Sequence, residues 1–190
     1  MSVAESPAAE RLGGWLFRNR GWLPVPLLVG MVLSEPGFPI PGLGLLAAGE
    51  AIRLWAVGHI GLPSRTRGDG ATRVVDSGPY ALVRNPLYVG NILMFTGLGV
   101  MAWPWVALAG PLLALEYHFI VRWEESNLTT RLGEPYADYL RRVPRWFPRW
   151  GPGVVAPWDA GKALRSERST LVALAAVLCT WFLVHGIQRV

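Results

Sequence analysis

Residues 87–121 read LYVGNILMFTGLGVM, then Ala102-Trp103-Pro104, then WVALAGPLLALEYHFIV: two apolar runs joined by a very short connection. A helix rises about 1.5 Å per residue and needs roughly 17–25 apolar residues to cross the hydrocarbon of a bilayer. Leu87–Met101 and Trp105–Val121 therefore predict a tight antiparallel hairpin of two spans. Whatever precedes Leu87 and whatever follows Val121 must then be neighbours at one face of the membrane.

Working outward, Leu43–Ile60 and Leu171–Ile187 are further candidate spans, each bounded by Gly, Pro, Trp or charge. Trp22–Leu33 is shorter and carries Pro24 and Pro26, so it reads as a tilted or interfacial helix that bends back through Ser34 to Gly44. Composition agrees: 52% of residues are hydrophobic and 16% charged, with ten Trp and sixteen Pro, richer in apolar residues than most soluble domains. Lys and Arg fall before Trp22 (three), between Gly61 and Pro86 (four) and between Arg122 and Arg168 (nine). With a cytoplasmic N-terminus, every basic connection then lies inside. The expected fold class is all-α, a polytopic helical membrane protein with about five transmembrane helices and a cytoplasmic amphipathic helix. It forms one domain over 1–190: a cytoplasmic N-terminus to residue 21, four spans over 22–121, a cytoplasmic cofactor-covering segment over 122–168, and a last span over 169–190.

The net charge of +5 is spread between apolar runs and not gathered on one helix, so no nucleic-acid partner is expected. Cys179 stands alone in an apolar run, which leaves no disulfide framework or cysteine metal site. His59, His118 and His185 lie on separate spans, and no metal is predicted. Met1–Glu10 lacks a basic n-region, so no removed signal peptide is expected.

Chemistry concentrates at the two flanks of the hairpin. Before it, Ser77-Gly78-Pro79-Tyr80-Ala81-Leu82-Val83-Arg84-Asn85-Pro86-Leu87-Tyr88-Val89-Gly90-Asn91 holds backbone irregular at a membrane edge. The N–H and C=O groups so freed need partners, and a polar ligand is one. Pro86 suits a helix start and Asn85 its cap. Arg84 suits a carboxylate or phosphate through its planar fork, and lipid head groups would satisfy it equally. After the hairpin come Glu124 and Glu125, which point about 100° apart on a helix, so one alone faces the interior. Pro135 fits a first helical position, with Tyr136, Tyr139, Leu140 and Val143 along one side. This predicts a short helix lying on the membrane surface, acting as an anchor or as a cofactor lid. Arg141, Arg142, Arg145 and Arg149 would face phosphate head groups, while Trp146, Phe147 and Trp150 dip into the interface. Ser64, Arg65 and Arg67, beside a turn at Gly68-Asp69-Gly70, are further candidates for head-group contact. Inside the spans, Glu50 and Arg53 are three apart and pair. Glu116 lies nearly in phase with Glu124, so that face is expected to line a polar cavity.

The run Gly78-Pro79-Tyr80, Arg84-Asn85-Pro86-Leu87-Tyr88-Val89-Gly90, Glu124-Glu125, Leu128, Gly133, Tyr136, Tyr139 and Val143-Pro144-Arg145 resembles the isoprenylcysteine carboxyl methyltransferase and phospholipid methyltransferase superfamily, over roughly Glu50 to Pro148. The resemblance implies an integral-membrane methyltransferase whose cofactor, S-adenosyl-L-methionine, is held between the inner ends of the spans and the amphipathic tail. The cofactor-binding set it implies is Tyr80, Val83, Arg84, Asn85, Tyr88, Gly90, Asn91, Glu124 and Glu125, with Arg84 and Glu125 as the catalytic pair. Many relatives have histidine where Asn85 stands, and an amide does not exchange a proton near neutral pH. Methyl transfer from a sulfonium needs alignment and desolvation before it needs acid or base; for an amine or hydroxyl acceptor, Glu125 or Glu116 is the nearest proton acceptor. Glu50, Arg53 and Glu116 are the expected substrate-binding residues for a lipophilic acceptor, prenylcysteine- or phospholipid-like, that enters from the bilayer among membrane lipids. No strand-borne Gly-x-Gly-x-x-Gly is present, and Gly97-Leu98-Gly99 lies within a span, where small residues let helices approach. Two other functions fit the same residues: an NADPH-dependent membrane sterol or steroid reductase, and a non-enzymatic lipid-binding or transport subunit.

Overall fold

The structure is a computed structural model that describes residues 7–60, 73–149 and 157–187. It is a bundle of helices: α1 (Pro7–Asn19), α2 (Val25–Leu33), α3 (Pro39–Ile60), α4 (Pro86–Met101), α5 (Ala109–Leu132), the short α6 (Glu134–Arg142) and α7 (Ala160–Ile187). Two-residue strands, β1 (Glu35–Pro36) and β2 (Ala102–Trp103), pair antiparallel at one end, with Glu35 opposite Trp103. The Gly37 and Phe38 amides continue this pairing by donating to the carbonyls of Met101 (2.7 Å) and Val100 (2.8 Å). The β pair ties the α2–α3 connection to the α4–α5 connection. The loop between α4 and α5 is therefore longer than Trp103-Pro104-Trp105 suggested, with a 3-10 turn at Trp105–Ala107 before α5 begins.

Among the described residues two helices are long and apolar enough to cross a membrane, Pro39–Ile60 and Ala160–Gly186, and α4 is a shorter apolar helix. Of the expected spans, about five, these two thus meet the length and composition of a membrane-crossing helix. The nine residues of α2 reach only about 13 Å, against a hydrocarbon core of about 30 Å. The sequence reading also missed α1, having assigned residues 1–21 to a polar terminus. α1 packs along α5 through Gly13, where an added Cβ would lie 2.7 Å from Trp123 Cβ, and through the tilted Phe17–Trp123 ring pair at 4.8 Å. Pro24 lies between α1 and α2, and Pro26 in the first turn of α2. Pro24 and Pro26 have no N–H to return to the carbonyls four residues earlier, and the chain turns instead through Trp22 and Leu23 amides bonded to the Asn19 carbonyl. α1 and α2 together run from the level of Ser126, whose hydroxyl donates to Glu10, to the level of Met31 and Met101.

α3 and α4 form the tightest contact, built on glycines. A Cβ on Gly49 would stand 2.6 Å from the Gly90 carbonyl oxygen, and one on Gly97 would stand 2.6 Å from that of Gly42. In a bundle without much hydrophobic drive between its helices, such close approach supplies the packing. At the β-pair end Met31, Leu46, Leu98, Met101, Ala109 and Trp181 form one buried cluster. α7 begins at Ala160, not near Leu171, and is capped by the Asp159 carboxylate accepting from the Lys162 amide at 2.9 Å. That bond, with the Lys162 charge, lowers the Asp159 pKa. Little of the apolar length of α7 is buried, 11% against 39% for α3, as expected of a helix turned towards lipid. The Ser64, Arg65, Arg67 and Gly68-Asp69-Gly70 reading, Trp150 and most of the linker to Asp159 lie outside the described residues.

Substituting Gly49→Val would force backbone against backbone and cost about 1–3 kcal/mol, read as a lower thermal unfolding midpoint of the detergent-solubilised protein. Gly44→Ala, with nothing within 4 Å of its added Cβ, is expected to leave that midpoint unchanged or slightly raised.

Candidate functional site

The chain between α3 and α4 enters the bundle through a 3-10 turn at Gly78–Ala81. Gly78 has φ +56° and abuts the His59 ring, which a Cβ would approach to 2.5 Å, so both conformation and space call for glycine. A strap, Val143–Arg149, then runs along this entry. The Arg84 amide donates to the Pro144 carbonyl at 2.9 Å and the Arg149 amide to the Leu82 carbonyl at 3.0 Å. Arg84 Nε donates to the Val143 carbonyl at 2.7 Å. Asn85 stands at the N-cap of α4 without a side-chain capping bond; its amide instead donates to the Arg145 carbonyl at 3.3 Å. The Tyr139 hydroxyl donates to the Tyr80 carbonyl at 2.9 Å. The Val-Pro-Arg run thus supplies the carbonyls that an irregular entry loop lacks.

Glu125 closes the strap electrostatically. It accepts from Arg84 at 3.0 Å and from Arg145 Nη2 at 2.6 Å, with Arg145 Nε 3.2 Å from both carboxylate oxygens. Its side chain is 7% exposed, against 15% for Arg84 and 32% for Arg145. The arginines read as facing head groups have protein partners, and for Arg145 that partner is a buried carboxylate. Arg145 is bound to Glu125, Arg141 is bound by Glu134 (2.7 Å) and by Asp138, and Arg142 reaches Asp76 at 3.3 Å. Phe147 is exposed, and Trp146 packs towards Leu113, Tyr117 and Ile120. α6 lies where its spacing predicted, with Tyr136, Tyr139 and Val143 buried against Leu128 and Leu132. Burial, reinforced by the Glu125 charge at Tyr136 and by the neighbouring Tyr136 at Tyr139, raises both phenols well above the usual tyrosine range, so both stay neutral donors.

Between the entry loop, the end of α1, and α3, α4, α5, α6 and α7 lies a cavity of about 590 Å³. Of the nine expected cofactor residues, Tyr80, Arg84, Asn85, Tyr88, Asn91, Glu124 and Glu125 line it. Val83 is buried behind the wall, and Gly90 is spent on the α3–α4 contact, where a Cβ would meet Arg53 Cγ at 2.6 Å. Of the expected substrate residues, Arg53 lines the cavity while Glu50 and Glu116 do not; the shared polar face of Glu116 and Glu124 is not formed. Arg53 is the centre of a buried network. Its Nε lies 3.3 Å from Glu50. Its terminal nitrogens donate to Glu167 (2.6 Å) and Thr170 (3.2 Å) of α7 and to Asn91 of α4. The Asn91 amide in turn donates to the Tyr117 hydroxyl at 3.1 Å.

Sequence reasoning missed two of these groups. Glu167, fully buried, sits in a stretch assigned to a cytoplasmic segment, and its only signal was an acid next to an apolar run. Arg20 was assigned to the N-terminal tail, yet it lines the cavity beside Tyr88, Tyr117 and Trp123. Glu124, just beyond the apolar stretch that ends at Val121, lines the same wall. Burial pushes its pKa up to about 7, while the Tyr88 hydroxyl and the Arg20 charge pull it back down.

A family model described as phospholipid methyltransferase matches residues 39–134, which covers the hairpin, the entry loop and Glu124-Glu125. The chain belongs to the phospholipid methyltransferase family, a class of membrane methyltransferases. It is 34% identical over 145 residues (73% of this chain, 58% of the relative) to the cobalt-zinc-cadmium resistance protein CzcN of Cupriavidus metallidurans. It is 38% identical over 100 residues (51% of this chain, 43% of the relative) to the nickel-cobalt-cadmium resistance protein NccN of Alcaligenes xylosoxydans xylosoxydans. The chain thus spans about half the length of the curated relatives it matches. No solved structure matches it.

Glu125→Ala would leave two arginines facing each other without their shared carboxylate, a loss of roughly 3 kcal/mol. Hydrogen exchange should then quicken at the Arg84 and Arg149 amides, whereas Glu124→Ala should leave both protected.

Proposed function

We propose that this protein transfers a methyl group from S-adenosylmethionine to a lipophilic acceptor, and that the 590 Å³ cavity is where both meet. The carrying observation is the cavity itself: seven of the nine residues implied by family resemblance converge on one polar, aromatic-walled space at the end of the hairpin. The lining fits the cofactor. It offers aromatic faces at Tyr80, Tyr136 and Tyr139 for a purine, a carboxylate at Glu124 for a cation, and arginine donors for a carboxylate. Bound there, S-adenosylmethionine would supply an electrophilic methyl group on a positively charged sulfur.

The residues divide the remaining work. α6 and the entry loop, which the strap holds in place, wall the site and limit water, which methyl transfer needs more than acid or base. Glu125, held by two arginines, positions the strap, so the proton-acceptor role weighed for it passes to Glu124, the other carboxylate in the cavity wall. Ser169 and Thr170 of α7 border the cavity on a helix little covered by protein. That is the side from which a lipid acceptor would reach Arg53 and Asn91. We place α1–α2 as a broken first span, then α3, α4, α5 and α7, with the N-terminus and the cavity cytoplasmic, as the distribution of basic residues supports.

Calorimetry with S-adenosylhomocysteine and with NADPH tests the assignment: the first nucleotide should bind and the second should not. Membranes incubated with a methyl-labelled donor should yield label in the lipid extract. Because the Glu124 pKa is raised to about 7, its carboxylate is largely neutral at pH 6 and ionised at pH 8. Affinity for the sulfonium of S-adenosylmethionine should therefore rise up to about 10-fold across that interval. Glu124→Gln should flatten the profile, and uncharged S-adenosylhomocysteine sulfur should show little of it.

A further inference from the structure

Among the described residues that line the cavity, Arg20 is a half-buried cation without a carboxylate partner. Arg53 is surrounded by Glu50, Glu167, Thr170 and Asn91. Arg84 gives Nε to the Val143 carbonyl and a terminal nitrogen to Glu125, and Arg73 is exposed at the rim. Arg20 differs. Nη1 donates to the Phe17 carbonyl at 2.6 Å, and the guanidinium lies over the Phe17 ring at 3.8 Å from its centre. Among the described residues no carboxylate forms an ion pair with it, so Nε and Nη2 remain for a ligand.

Its setting is built, not incidental. α1 ends at Asn19 and α2 starts at Val25, and the turn between them brings Arg20 and Gly21 to the cavity wall. Phe17 is itself fixed against Trp123 at 4.8 Å, so the guanidinium sits on an ordered ring and loses little freedom on binding. A half-buried guanidinium at a cavity wall is better matched when an anion meets it. The Glu124 carboxylate lines the same cavity, and Arg20 acts electrostatically on it and on Tyr88 and Tyr117. One free arginine fork and one carboxylate in a shared wall match a ligand that carries both an anion and a cation.

Building on the proposed cofactor, we infer that Arg20, in the break between α1 and α2, receives the α-carboxylate of its methionine end, while Glu124 faces the sulfonium. Arg84, the arginine that sequence favoured for a carboxylate, is engaged by the strap. The test uses full-length protein in detergent and calorimetry with two ligands: S-adenosylhomocysteine, which carries the amino-acid end, and 5′-methylthioadenosine, which lacks it. Arg20→Gln should weaken S-adenosylhomocysteine by about 10- to 100-fold and leave 5′-methylthioadenosine within about two-fold; Arg20→Lys should restore part of the loss. Unchanged S-adenosylhomocysteine binding in Arg20→Gln would overturn the inference and leave Arg20 to an anionic group of the acceptor. An equal loss for both ligands would overturn it in favour of a purely structural role. Wild-type protein that binds neither ligand would remove the cofactor reading, and this inference with it.

Discussion

Glu125 between Arg84 and Arg145 is the interaction on which the site depends. A carboxylate this well buried would be costly alone, and two guanidinium groups on one side would repel. Together they join three separate pieces of chain: the entry loop before α4, the exit of α5 and the strap after α6. The hydrogen bonds from Arg84, Arg149, Asn85 and Tyr139 then fall into place along a strap already drawn in by charge. Without that ionic clasp, the entry loop would have no reason to lie beneath Val143–Arg149, and the cavity would lose the wall that this loop forms.

The same economy of charge divides the arginines by task. Arg53 is consumed by a network that crosses α3, α4 and α7 and touches α5 through Asn91 and Tyr117. It holds the far wall of the cavity and relieves the burial of Glu50 and Glu167. Arg84 and Arg145 hold the entry loop to the strap. What remains facing the cavity with capacity to spare is Glu124 on one side and Arg20 on the other. The cavity thus separates groups that build the space from groups that can recognise a zwitterionic ligand within it, a distinction that adjacency in sequence obscures, because Glu124 and Glu125 are neighbours with opposite roles.

Several features were legible without coordinates because each rests on local regularity. Two apolar runs with a short connection fold back on one another, so Gly78–Asn91 and Glu124-Glu125 were bound to meet. Pro135 with Tyr136, Tyr139 and Val143 at helical spacing specified α6 and its buried side, and the three-residue separation of Glu50 and Arg53 specified their pairing. Glycines at Gly97 and Gly99 signalled close helix contact, and family resemblance pointed to most of the cavity lining.

Tertiary structure alone decided the rest, because the deciding forces act between residues distant in the chain. Gly90 was assigned to the cofactor by its motif, yet the approach of Gly49 from α3 claims it for packing. Glu116 follows Glu124 in helical phase but falls outside the cavity, since the wall is set by which neighbours surround α5 and not by phase alone. Glu167 finds Arg53 across 114 positions, a pairing no local pattern encodes. α1 resembled a polar tail until Gly13 and Phe17 met Trp123, and that contact carried Arg20 from the expected cytoplasmic terminus into the cavity. Sequence by itself determined the family, the helical hairpin and where chemistry gathers. The fold determined which charges hold the structure and which stay open to a ligand, because a charged side chain's role depends on whether a partner reaches it, and partners are chosen in three dimensions.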